Sequence, residues 1–126
     1  MTSKELANMI SQLALEKKGQ DITIMDLHSI SDITDYFVII TCGSDIQTKT
    51  VANHIEKTLR DEKITLYHRE GMNKLNWVLL DYVDVVVHIF RDETREFYAL
   101  ERLWADAKVT KVEEDADLRV VPGKSN

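Results

Sequence analysis

The sequence has little of what staples, kinks or anchors a chain. Its single cysteine, Cys42, excludes an intramolecular disulfide, and its place inside an apolar run marks it as a small buried hydrophobe rather than a nucleophile. One proline and four glycines in 126 residues exclude a low-complexity or linker segment and match an ordered globular chain. No apolar run approaches the ~18 residues of a membrane span, and the acid-containing amphipathic start is unlike a signal or transit peptide, so a cytoplasmic location is expected. Positive charge is scarce as well: 16 Lys and Arg stand against 22 Asp and Glu, a formal charge of −6. That balance argues against a dedicated nucleic-acid site, which needs clustered cations to grip phosphates, and favours a basic protein partner.

What is present is a core. Hydrophobic residues make up 44% of the chain, and a domain of this length buries roughly two-thirds of the surface its unfolded chain exposes. Thr2 and Glu5 form a capping box ahead of Leu6, Met9, Ile10 and Leu13, which are spaced for a first helix. Residues 22–27 alternate as a strand, and residues 34–44 carry the continuous apolar middle of a central strand covered on both faces. Ser44 and Gln47 form a second capping box before a helix with the stripe Ile46, Val51, Ile55 and Leu59. Residues 64–68 read as a strand reached by a parallel crossover, and residues 70–76 as a loop. After residue 90, Asp92 can cap a last helix bearing Phe97, Leu100, Trp104 and Ala107. The expected fold is α/β: a mixed five-stranded sheet with flanking helices over residues 1–108, followed by an acidic, partly frayed tail over residues 109–126.

Residues 77–90 organise the rest, as two β-rich runs around Asp81-Tyr82-Val83-Asp84. With Tyr82 and Val83 as a tight turn, Asp81 faces Asp84, Leu79 faces Val86 and Trp77 faces His88 on one side. Val78, Leu80, Val85, Val87 and Ile89 then form an aliphatic core side. The mixed side is where function is sought. There Trp77 is either covered by the last helix or exposed as an interface anchor, and its pattern leaves both readings open.

Catalytic readings are weaker. Gly43-Ser44 before a helix invites an anion, but no Gly-rich loop or Lys follows, and Asp45 in the first turn repels phosphate while favouring the helix dipole. A nucleotidyltransferase carries paired carboxylates on the next strand to hold Mg²⁺, whereas residues 64–68 contain none. Asp81 and Asp84 could pair for acid/base or metal work with His88 nearby, yet Asp in a turn more simply bonds its own backbone. The enzyme alternative is therefore a nucleotide-binding or nucleotide-transferring site of Gly43, Ser44, Asp81 and Asp84. No metal or cofactor is expected, since His28, His54 and His68 lack ligand spacing.

Several ordered motifs resemble the ribosomal silencing factor, or Iojap-related, family. They are Thr34-Asp35-Tyr36-Phe37-Val38-Ile39, Gly43-Ser44 with Gln47, Glu70-Gly71, Trp77 to Tyr82, Asp84 to Phe90, and Arg95-Glu96-Phe97-Tyr98 with Leu100-Glu101 and Leu103-Trp104. The resemblance implies a bacterial, non-enzymatic protein that binds large-subunit ribosomal protein fourteen, blocks joining of the small subunit and damps translation when nutrients are short. It also implies a nucleotidyltransferase-like fold without the catalytic carboxylates. The partner contacts are then Trp77, Leu79, Asp81, Tyr82 and Asp84, flanked by Glu70 and Gly71. This chain has Val83 and Leu75 where members of the family usually have Gly. A β-branched residue at positive φ costs on the order of 1–2 kcal/mol, so the turn is expected to differ locally. A third reading is self-association into a homodimer through an uncovered strand edge.

Overall fold

A capping box starts the fold. Thr2 Oγ1 accepts the Glu5 N–H at 3.1 Å, while the Glu5 carboxylate accepts the Thr2 N–H at 2.8 Å, a bond that lowers the Glu5 pKa. The computed structural model describes residues 1–92, 100, 104–112 and 120–122. Helix α1 (Ser3–Glu16) buries Leu6, Ala7, Ile10, Leu13 and Ala14, and α2 (Asp45–Asp61) buries Thr48, Val51, Ala52, Ile55 and Leu59. Ser44 caps α2 through the Gln47 N–H at 3.1 Å. The Gln47 side chain does not close the expected box on Ser44. Its Oε1 accepts the Gly43 N–H at 2.7 Å and its Nε2 donates to the Lys18 carbonyl at 2.7 Å, tying the start of α2 to the end of α1. Ile46, expected in the buried stripe, is 79% exposed, because two residues of helix turn it some 200° from Thr48.

Among the described residues the sheet has seven strands rather than five: β1 (Gln20–Asp26), β2 (Tyr36–Cys42), β3 (His68–Glu70), β4 (Trp77–Asp81), β5 (Val85–Arg91), β6 (Lys108–Val112) and β7 (Val120–Pro122). Their order is β3-β4-β5-β2-β1-β6-β7. Only β2 and β5 pair in parallel; the other neighbours are antiparallel. The crossover from β2 through α2 leads to β3, which runs in the direction of β2 but stands beyond β5 and β4.

Residues 64–67 are not the expected strand. Ile64 returns its N–H to the Leu59 carbonyl at 2.8 Å to finish α2, and with Leu66 it packs against the core as irregular chain. The expected tail supplies β6 and β7: Lys108–Val112 pairs with β1, and Val112 enters the main core. The last helix expected after Asp92 lies largely outside the described residues. The outer strand β3 is three exposed residues, His-Arg-Glu, and so short and charged an edge opposes pairing with a second copy.

One face of the sheet carries α1, α2 and the main core, including Val38, Ile40, Leu80, Val87 and Ile89. The other carries a smaller cluster of Met25, Ile39 and Phe90, against which Phe37, Leu100, Trp104 and Ala107 pack. The hairpin register differs from expectation by two residues: Asp81 opposes Val86, Leu79 opposes His88 and Trp77 opposes Phe90. Asp81 therefore does not face Asp84. The division of faces survives, since only an odd slip moves a residue to the opposite side. Val83 and Leu75 adopt left-handed φ values of 75° and 63°, a conformation that glycine takes at little cost, despite their side chains. The Val83 strain is offset by Asp81 Oδ1, which accepts the Val83 N–H at 2.7 Å, and by the Tyr82 N–H to Val85 carbonyl bond at 2.9 Å.

Candidate partner-binding surface

The candidate residues converge on the β4 edge of the face opposite the helices. Alternation puts Trp77, Leu79 and Asp81 of β4 on that face, with Val86, His88 and Phe90 of β5 beside them. Trp77 is 39% exposed. Leu100, Trp104 and Ala107 cover the Met25, Ile39 and Phe90 cluster, and the indole remains partly open at its margin. Across the strand pair, the Trp77 ring lies 5.0 Å from that of Phe90, and its Nε1–H donates to His88 Nδ1 at 3.1 Å.

This bond assigns the remaining proton of neutral His88 to Nε2, which is buried with no partner. Phe37 meets the imidazole edge-on at 4.5 Å. Burial pushes the His88 pKa down to about 4, so the ring is neutral and serves Trp77 as an acceptor. It is a brace for the indole.

Gly71 holds the neighbouring loop. At φ +88° its backbone lies so close to β4 that a Cβ would fall 2.0 Å from the Trp77 carbonyl oxygen. Glu70, Gly71, Trp77 and Leu79 together line a hollow of about 220 Å³. A second hollow of about 400 Å³ is lined by Asp81 and Val86 with Ile33, Tyr67 and Val83. Those last three are exposed apolar residues that the sequence reading missed. No periodicity marks Ile33 within its Ser- and Asp-rich loop; the detectable signal is a large apolar side chain left in water beside β4.

Tyr82 leaves this group. It is 6% exposed and sits in the main core on the helix-covered face, because it follows Asp81 in the alternation. Asp84 is exposed in the turn, where its carbonyl accepts the Asp35 N–H at 3.0 Å. Asp81 takes the ordinary turn role already noted on Val83.

Gly43, Ser44, Asp81 and Asp84 do not form one site. Asp84 precedes the first pair of the parallel β2–β5 ladder, Tyr36 with Val85, while Gly43 follows the last, Cys42 with Arg91. Eight residue steps at ~3.3 Å per residue separate the two by about 26 Å. The Gly43 and Gln47 amides are already occupied by Gln47 and Ser44 side chains, and Asp45 bonds Arg91. Among the described residues no group of three or more His, Cys, Asp or Glu is placed to hold a metal ion, and no helix is long and apolar enough to cross a membrane.

Residues 1–125 match the sequence profile of the family described as ribosomal silencing factor during starvation. The chain is 33% identical over 113 residues to the ribosomal silencing factor RsfS of Halalkalibacterium halodurans, covering 90% of this chain and 97% of that protein. A crystal structure of a Chromobacterium violaceum protein superposes with a TM-score of 0.78 at 28% identity, covering 83% of this chain and 88% of that one. A more distant relative is the mouse protein named mitochondrial assembly of ribosomal large subunit protein 1, 28% identical over 100 residues, 77% of this chain and 44% of that protein. With a family match over nearly its full length and relatives of this likeness, the chain belongs to the ribosomal silencing factor family.

Proposed function

We propose that the β4 face docks on a basic protein of the large ribosomal subunit, ribosomal protein fourteen, and that the bound chain occupies ground the small subunit needs in order to join. The observation that carries this reading is the partly exposed Trp77, fixed from the side by His88 and Phe90 of β5 and flanked by Glu70, with Asp81 and Asp84 farther along the same edge at the turn end of β4. A rigid aromatic anchor supplies affinity by burying apolar surface. Carboxylates spread along the β4 edge steer a cationic partner and set its register. The mouse relative's name, with its large ribosomal subunit, points to the same target. The function is steric, so the repression of translation needs no catalytic group.

Pelleting with isolated large subunits tests this. Trp77→Ala is expected to lose ~30-fold or more in affinity, the equivalent of a ~2 kcal/mol hot spot. Asp84→Lys is expected to weaken binding most at low ionic strength, where charge is least screened. Unchanged affinity in both variants overturns the surface, and undiminished joining of purified subunits in a sedimentation gradient with excess protein overturns the mechanism.

A further inference from the structure

On the other face, between the end of α2 and residues 64–66, lies a cavity of about 410 Å³, within the size range of small-molecule pockets. Tyr82 lines it from the β4–β5 turn. Its hydroxyl is buried and has no hydrogen-bond partner, which costs stability unless another molecule accepts the bond. Burial, and then the nearby Glu56 carboxylate, raise the Tyr82 pKa, so at neutral pH this group is a donor.

Arg60 and Lys63 also line the cavity, and neither makes an ion pair with a described residue. One carboxylate, Glu56, lines the cavity as well, and the adjacent Arg69 binds it at 2.8 and 3.1 Å and cancels its charge within the protein. Two uncompensated cations at one concavity reverse the local sign of a chain whose net charge is −6. Ile64 and Leu66 form an apolar wall packed on the main core. The cations alone would carry nothing: Arg60 in the last turn answers the helix dipole, and Lys63 ends α2 at φ 65° as Lys18 ends α1 at φ 67°. The unpartnered hydroxyl is the independent feature, and it belongs to a different element.

We infer that this pocket binds a small molecule carrying a phosphate on an apolar body, with the phosphate between Arg60 and Lys63 and accepting the Tyr82 hydroxyl, and the body against Ile64 and Leu66. Phosphate fits better than carboxylate because its charge approaches −2 and three oxygens can accept from three donors. The site is independent of the ribosomal reading, being on the opposite face of the sheet from Trp77.

The probes are phenyl phosphate, inorganic phosphate and benzoate, titrated into the full chain and followed by amide chemical shifts. Phenyl phosphate is expected to saturate, to move residues 60–66 and Tyr82 together, and to bind more tightly than the other two. Arg60→Gln with Lys63→Gln is expected to weaken it ~10-fold or more, and Tyr82→Phe about 10-fold. Tyr82→Phe is also expected to melt above the wild type, since it removes a hydroxyl that the free protein leaves unpaired. Three results overturn the inference: no saturable shifts, shifts scattered over surface lysines and arginines with unchanged affinity in the double variant, or a Tyr82→Phe protein that melts lower and binds as before.

Discussion

Acidification attacks Trp77 through its neighbour on β5. His88 accepts the indole N–H, is 4% exposed, and has a pKa pushed by burial from the usual 6.5 to about 4. Between those values the unfolded chain binds the proton and the folded chain does not. The stability this group confers is therefore complete above about pH 6.5 and is lost as the pH falls toward 4. The full gap corresponds to about 3 kcal/mol, of which about 2 kcal/mol falls between pH ~7 and pH ~5. With a urea m-value of ~2 kcal/mol/M, the midpoint should drop by ~1 M over that interval. Carboxylates add a pH dependence of their own, so the comparison is with His88→Gln, which keeps an acceptor for the indole but cannot titrate. Urea unfolding at several pH values should give the wild type an excess loss of about 2 kcal/mol over the variant. Equal pH slopes, or a steeper slope in His88→Gln, would refute the claim that a neutral buried imidazole braces the indole.

Three further perturbations follow from local geometry. Gly71→Ala forces a Cβ onto the Trp77 carbonyl at positive φ, and should cost ~3 kcal/mol in urea unfolding; near-wild-type stability would contradict the close approach. Val83→Asn, placing a residue more tolerant of left-handed backbone at φ 75°, should raise Tm by ~4 °C, or about 1 kcal/mol, by calorimetry. The Cys42 thiol is pushed up to about 11, chiefly by burial, so alkylation near pH ~8 should proceed only as fast as the fold opens, and rapid labelling of native protein would count against its burial.

Much of the candidate surface was legible because strand alternation is local. The pattern through residues 77–90 separates Trp77, Leu79 and Asp81 from Val78 and Leu80 whatever the register, and the structure keeps that separation. The register itself was not legible: it depends on Val83 adopting a left-handed conformation that a valine's own preference opposes, held by bonds from Asp81 and Val85. Tyr82 was placed with the patch by its proximity in sequence, whereas alternation sends its ring into the helix-covered core. β6 escaped notice because Lys108–Val112 is mostly polar, and pairing with β1 makes it a strand.

By itself, then, the sequence determined the class of the fold, the two helices with their caps, and which side chains share a face, since capping and periodicity act over a few neighbouring residues. The tertiary structure alone decided that Trp77 stays partly open. Coverage depends on where residues distant in sequence come to rest, and Leu100, Trp104 and Ala107 pack over Met25, Ile39 and Phe90 while leaving the indole at the edge.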